Sequence, residues 1–292
     1  MDRLTRFAVV VCLLLLAGTL VPVFGQGFGS GVPPDLAGEW RKVGHEDVHE
    51  RGGGPDPGEF WGIPVNDAAR MRGDTYNAEW ASASLVLQCR PHPTGYQQLG
   101  PDNMRITKEV DTIAREQIGY RILFRETPGE RMIWMDGRPH PSAYFAHSWE
   151  GFSTGKWEGD TLTITTTHLK EYILRRDGIP RSDRGTMTEH WLRHGDYLTV
   201  VQIVSDPVYL TEPFIQSTDF ALDVHLQPRP ELCEIEEETD RPAGWVPHRL
   251  PGTATDVADF AKKYGLPVEA VNGGAETMYP GYRKKLAGAG PR

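Results

Sequence analysis

From Met104 onward, apolar and polar side chains take turns along the chain. "MRITKEVDTIAREQ" alternates and is rich in Thr, Val and Ile, which suit a pleated surface. "GYRILFRE", the turn "TPGE" and "RMIWM" read as a hairpin with Pro-Gly at its tip. In "TLTITTTHL", Thr161, Thr163 and Thr165 fall on one face and Leu162 and Ile164 on the other, so that strand has a wet side and a buried side. "TMTEHWLRH", the turn "GD" and "YLTVVQIVSD" form another hairpin. "PFIQSTDFALDVH" adds a strand, "ELCEIEEET" a last short one, and "DLAGEW", Asp35 to Trp40, opens the set.

Tight turns without intervening helices predict a mostly antiparallel sheet, because parallel neighbours need long crossovers. A meander of about eight strands closes into a barrel or folds over as a sandwich. The fold class expected is therefore mainly β, a lipocalin-like barrel or β-sandwich with short peripheral helices. Helical spacing is confined to two places. "NDAARMRGDTYNAEW" (66–80) carries Asn66 or Asp67 as a cap, and "TATDVADFAKKYG" carries Ala258, Phe260 and Ala261 with Gly265 as its stop. "GHEDVHERGGGPDPGEFWGIP" is loop, and Pro91 and Pro93 break regular structure in "CRPHPTGY".

The first residues change the picture of where the protein works. Arg3 and Arg6 precede the apolar run "AVVVCLLLLAGTLVPV", and Val23, Phe24 and Gly25 suit a cut. This predicts a secretory signal over 1–25, a flexible leader over 26–34, a β-rich domain over 35–240 and a C-terminal extension over 241–292 with one short helix. The expected location is periplasmic or secreted, with no stable membrane span after cleavage; the alternative is a retained anchor. Cys12 leaves with the signal, so Cys89 and Cys233 remain as an even pair in an oxidising compartment. A bridge between them closes a loop long enough to stabilise by roughly 4–5 kcal/mol in the chain-entropy model; two buried free thiols are the alternative. The net charge of −9 repels phosphates and argues against nucleic acid as a partner.

Several phrases carry a resemblance. "IWMDGRPHP", "STGKWEGDTLTITTTHL", "MTEHW" and "YLTVVQIVSDPVYLTEPF", together with the D-L-x-G-x-W start at Asp35 to Trp40 and the phrase from Cys89, resemble a widespread family of exported bacterial β-rich proteins of unknown function. The resemblance spans about residues 35 to 240. It implies export and a β-rich fold, and a Cys near the end of the family's sheet matches Cys233. It transfers no chemistry. The chain departs from the family at Thr167-His168, where an Asp or Asn is more usual. The G-x-W phrase is similar to a lipocalin start and tilts the expectation toward a barrel.

Chemistry concentrates in "MDGRPHPSAYFAHSWEG", a connection between strands. Loops on a rigid sheet are where binding groups are found. Asp136 can orient His140 as a base, and Arg138 can grip an anionic group. Glu189 shares an apolar strand face with Met187 and Trp191, which makes it a second acid or base. The structural alternative is that Asp136 pairs with Arg138 in an Asp-Gly turn and that Glu189 is hydrogen-bonded. His45 and His49 are four apart but sit in loop, and no metal is expected. Phosphate-loop, dinucleotide and nucleophile-elbow motifs are absent, and no cofactor is expected. Three readings remain. A small, partly apolar molecule binds in a barrel mouth or sheet crevice, with Tyr144, His147, Trp149 and Trp157 around it and Arg138 as the polar handle. Alternatively, the same cavity runs acid–base chemistry (hydrolase, lyase or isomerase) through Asp136, His140 and Glu189. The third reading is a structural envelope module.

Overall fold

A computed structural model of the chain describes residues 32–44, 60–76, 88–98, 103–124, 129–175, 178–226, 234–235, 242–244, 249–250, 253 and 258–288. The chain divides into Met1–Pro33, of which only 32 and 33 are described, and Pro34–Arg292, which holds every element that follows. The strands are β1 (Gly38–Lys42), β2 (Met104–Val110), β3 (Gln117–Phe124), β4 (Glu130–Trp134), β5 (Phe152–Glu158), β6 (Thr161–Thr167), β7 (Tyr172–Ile173), β8 (Pro180–Arg181), β9 (Thr186–His194), β10 (Tyr197–Ser205) and β11 (Phe214–Leu222). Nine of them close a barrel in the order β1, β11, β10, β9, β6, β5, β4, β3, β2. β7 and β8 form a separate two-stranded sheet.

The barrel is mixed. β4 and β5 run parallel, with Ile133 opposite Ser153 and Trp134 opposite Thr154, while the other neighbours are antiparallel. Parallel strands cannot be joined by a hairpin, so residues 135–151 must travel the length of the wall before β5 begins. The heavily decorated stretch picked out from the sequence is this crossover. Tight hairpins join β5 to β6 and β9 to β10, and Gly159 and Gly195 supply the left-handed φ that each tip needs. The strand expected at 231–239 falls almost wholly outside the described residues; Glu234 and Ile235 are described and lie in no strand.

Alternation fills the interior. Along β9, Met187, Glu189 and Trp191 point inward; along β10, Leu198, Val200, Gln202 and Val204 do so. Among the described residues, the interior holds two apolar clusters. One gathers Trp40, Ile122, Leu162, Trp191 and Phe220. The other joins Met187 and Val204 to Phe60, Ile63, Val65 and Ile179 of the connecting segments. A polar layer made by Arg131, Ser153, Thr166, Glu189 and Gln202 lies between them along the strands. Trp40 of the D-L-x-G-x-W phrase is fully buried, donates its ring N–H to the Leu36 carbonyl at 3.0 Å and carries Arg193 over its ring at 5.3 Å.

Helices are peripheral. α1 (Asp67–Thr75) is capped by Asn66, whose side-chain oxygen accepts from Ala69 N–H at 3.0 Å. The tail carries α2 (Asp259–Tyr264), ended by Gly265 in the left-handed conformation, then α3 (Val268–Val271), a 3₁₀ turn (Ala275–Met278) and α4 (Pro280–Gly288). Among the described residues, no helix is long and apolar enough to cross a membrane.

Candidate functional site

The crossover lies on the outer wall of the barrel. Ser153 and Thr166 point inward, so their neighbours Thr154 and Thr167 point outward, and it is these two that hold the crossover. Thr167 Oγ1 is 2.8 Å from His140 Nδ1, and Thr154 Oγ1 is 2.8 Å from His140 Nε2. Thr167 also meets His168 Nδ1 at 2.7 Å, and His168 Nε2 meets the Ser142 carbonyl at 2.9 Å. A carbonyl only accepts, so His168 Nε2 carries a proton, and in the neutral ring Nδ1 accepts from Thr167. Thr167 then accepts from His140 Nδ1–H, and His140 Nε2 accepts from Thr154. The last carbonyl thus fixes the direction of the whole chain. His168 holds its place with a left-handed backbone, φ 57°. Desolvation, then the nearby His168, push the His140 imidazole below its ordinary pKa.

The expected Asp136–His140 pair is not made. Asp136 takes Arg138 instead, with Arg138 Nε at 2.9 Å from Oδ1 and Nη2 on Oδ2. The Arg138 guanidinium holds the Asp136 carboxyl below the usual range. Arg138 lies flat over Trp134, its carbon 3.4 Å from the ring centroid. The proline-rich loop lines neither of the two clefts described below. Tyr144 is 99% exposed. His147 donates Nδ1–H to the Leu169 carbonyl at 3.0 Å and sits edge-on to His168. Trp149 packs edge-on against Tyr172 under Lys170, while Trp157 packs against the barrel core.

Glu189 lies on the other side of the wall. It is 0% exposed and Arg131 1%. Its Oε1 accepts from Gln98 Nε2 at 2.7 Å, Arg131 Nη1 at 3.1 Å and Trp191 Nε1 at 3.2 Å, and Oε2 accepts from Arg131 Nη2. Arg131 completes its fork on Thr166 at 2.9 Å and Ser153 at 3.2 Å. Four donors thus hold the carboxylate inside the barrel, away from the crossover. Asp136, His140 and Glu189 therefore do not converge. Arg131 was visible in the sequence as the inward neighbour of Ile133 in "RMIWM", a polar residue where alternation calls for an apolar one. Gln98 carried no comparable signal.

A concavity lies elsewhere, between the turn at Trp61 and the C-terminal helices. A cleft of about 460 Å³ is lined by Trp61, Phe260, Leu266, Val271, Met278 and Tyr282. Trp61 adopts φ 52° and meets the Phe260 ring at 5.7 Å. The tail is tied to the barrel segments by Phe60 N–H on the Val271 carbonyl at 3.3 Å and by Arg70, which reaches the Asn272 carbonyl at 3.3 Å and Glu276 at 3.0 Å. Burial pushes the Tyr282 hydroxyl up, helped by Glu269 and Glu276. A second cleft of about 360 Å³ shares Trp61, Gly62 and Met278 with the first and adds Glu212 and Tyr279.

Among the described residues, no three His, Cys, Asp or Glu side chains gather as a metal site; His45 and His49 lie outside the described residues. Cys89 is described, with φ 54°, whereas Cys233 lies outside. No family model, no curated protein and no solved structure matches the chain.

Proposed function

We propose that this chain is an exported binder of a small, largely apolar molecule, held in the cleft between Trp61 and the C-terminal helices. One observation carries the reading: a cleft of about 460 Å³ walled by aromatic and aliphatic side chains, with Thr277 and the Tyr282 hydroxyl as its few polar groups. That size and lining are typical of ligand sites, which range over roughly 300–1,000 Å³. The basic, then apolar, leader supports export, and Cys89 and Cys233 are proposed to bridge in that compartment; a non-reducing mass measurement finding two free thiols overturns the bridge. The neutral fluorophore N-phenyl-1-naphthylamine should bind saturably at one site and be displaced by 1-decanol. Met278→Glu changes an exposed wall residue, so the fold should persist while binding is lost. Unsaturable fluorescence, or unaltered binding by the variant, removes the cleft as the site.

The Thr154–His140 contact favours a second reading, acid–base catalysis on the outer wall. The His140 Nε2 lone pair receives the Thr154 hydroxyl at 2.8 Å, and Thr167 orients the ring, the arrangement of a base beside a nucleophile. Under it, activity toward small esters should vanish in His140→Ala with folding retained.

A further inference from the structure

We infer that the preferred ligand of the cleft is an amphipathic amine, its apolar body against Phe260 and Val271 and its ammonium at Glu212. The inference rests on the reading of the cleft as a binding site and names what that site selects. The two adjoining clefts share Trp61, Gly62 and Met278, so one molecule lying across Met278 touches both. They differ in chemistry. The larger is walled almost wholly by apolar groups. The smaller ends at Glu212, an exposed carboxylate just before β11. Among the described residues, Glu212 has no cationic partner. Its hydrogen bond among those residues comes from the Tyr279 hydroxyl, at 3.1 Å and 3.3 Å to its two oxygens. A single neutral donor leaves the charge uncompensated and lone pairs open, in a chain that is already acidic overall. Tyr279 stands in the same cleft and adds a ring face, which attracts a cation. An alcohol head would gain a hydrogen bond there, an ammonium a hydrogen bond and charge, and a carboxylate would be repelled.

The test uses the full chain and three ten-carbon probes below their micellar concentrations: decylamine hydrochloride, 1-decanol and sodium decanoate. Binding is followed by displacement of N-phenyl-1-naphthylamine, for the wild type and for Glu212→Gln. The amine should bind about five-fold tighter than the alcohol, the gain expected of an exposed ion pair at its upper end. Decanoate should bind weakest. The amine's advantage should disappear in Glu212→Gln and shrink in about 1 M salt, where charges are screened within about 3 Å. Equal binding of amine and alcohol, or an advantage that survives Glu212→Gln, overturns the amine assignment and leaves the cleft standing as an apolar site. If none of the three displaces the fluorophore, the cleft reading itself falls.

Discussion

Glu189 was open to two readings, an acid or base and a hydrogen-bonded structural group, and its partners are those of the second. Its face, shared with Met187 and Trp191, does turn inward. There it meets a guanidinium, and the two charges neutralise each other where water cannot. Such a pair adds little net stability, but breaking it leaves one charge stranded, at a cost of roughly 3–5 kcal/mol. Glu189→Gln and Arg131→Met should each lose about that much in urea unfolding, and the double variant should lose clearly less than the two losses combined. A Glu189→Gln protein as stable as the wild type would show that the ion pair does not hold the layer together. Gly151, where the crossover enters β5, has a different constraint. Its φ is 69°, and an added Cβ would sit 2.6 Å from the Thr167 carbonyl. Gly151→Ala should therefore destabilise by ~1–3 kcal/mol, read from the same unfolding curves.

The crossover is the element on which the fold turns. Its grip on β5 and β6 is the chain from Thr154 through His140 and Thr167 to His168, and desolvation, then the nearby His168, make that grip weaker when His140 is charged. The folded pKa of His140 lies below 6.5, so the folded state takes up its proton later than the unfolded state. The sign follows: this grip is fully present above pH 6.5 and is lost as pH falls. Another charged pair on the same connection is Asp136–Arg138, which lies on Trp134. Amide exchange over 139–147 should accelerate on acidification from pH 7, and His140→Ala should already exchange fast at pH 7. A pH-independent rate in the wild type would mean that the prolines, not the imidazoles, fix the loop. Much of this element could be read in advance, and the limit is physical. Period-two alternation marks β6, β9 and β10 because each has one buried face, and Gly159 and Gly195 mark their hairpins. The β4–β5 pairing left no mark, since it depends on where a long connection lands. The cleft was equally silent. Its walls come from residues 61–62 and from residues 260–286, brought together only by folding, and the weak apolar pattern of α2 and α4 looks like a loose tail. The loop stands out in the sequence because its residues are chemically rich, whereas the cleft is built from residues that carry little chemistry.

Across the whole molecule, titrating groups pull stability in opposite directions, and the balance can be forecast. His92 sits edge-on to Tyr96 at 4.7 Å, and burial pushes its imidazole down to about 4. Between pH 6.5 and 4 the unfolded chain binds this proton and the folded chain does not, so stability drains as pH falls; across the full window the loss is ~3 kcal/mol. His140 adds to the same side. Glu150 and Asp74 work against it, since burial raises both carboxyls and the folded state keeps their protons longer. Their contribution is present at low pH and is lost as pH rises through their folded values. Asp35 and Asp136, held low by Lys108 and Arg138, enter only below about pH 4, where they too lose their stabilising partners. The melting temperature should therefore fall from neutrality toward pH 5, with His92 setting most of the slope. His92→Phe keeps a ring against Tyr96 and removes the proton site, so it should flatten the profile between pH 7 and pH 4.5 while leaving neutral stability close to wild type. An equally steep profile in that variant would assign the acid sensitivity to His140 instead, and His140→Ala, measured over the same range, would then carry the difference.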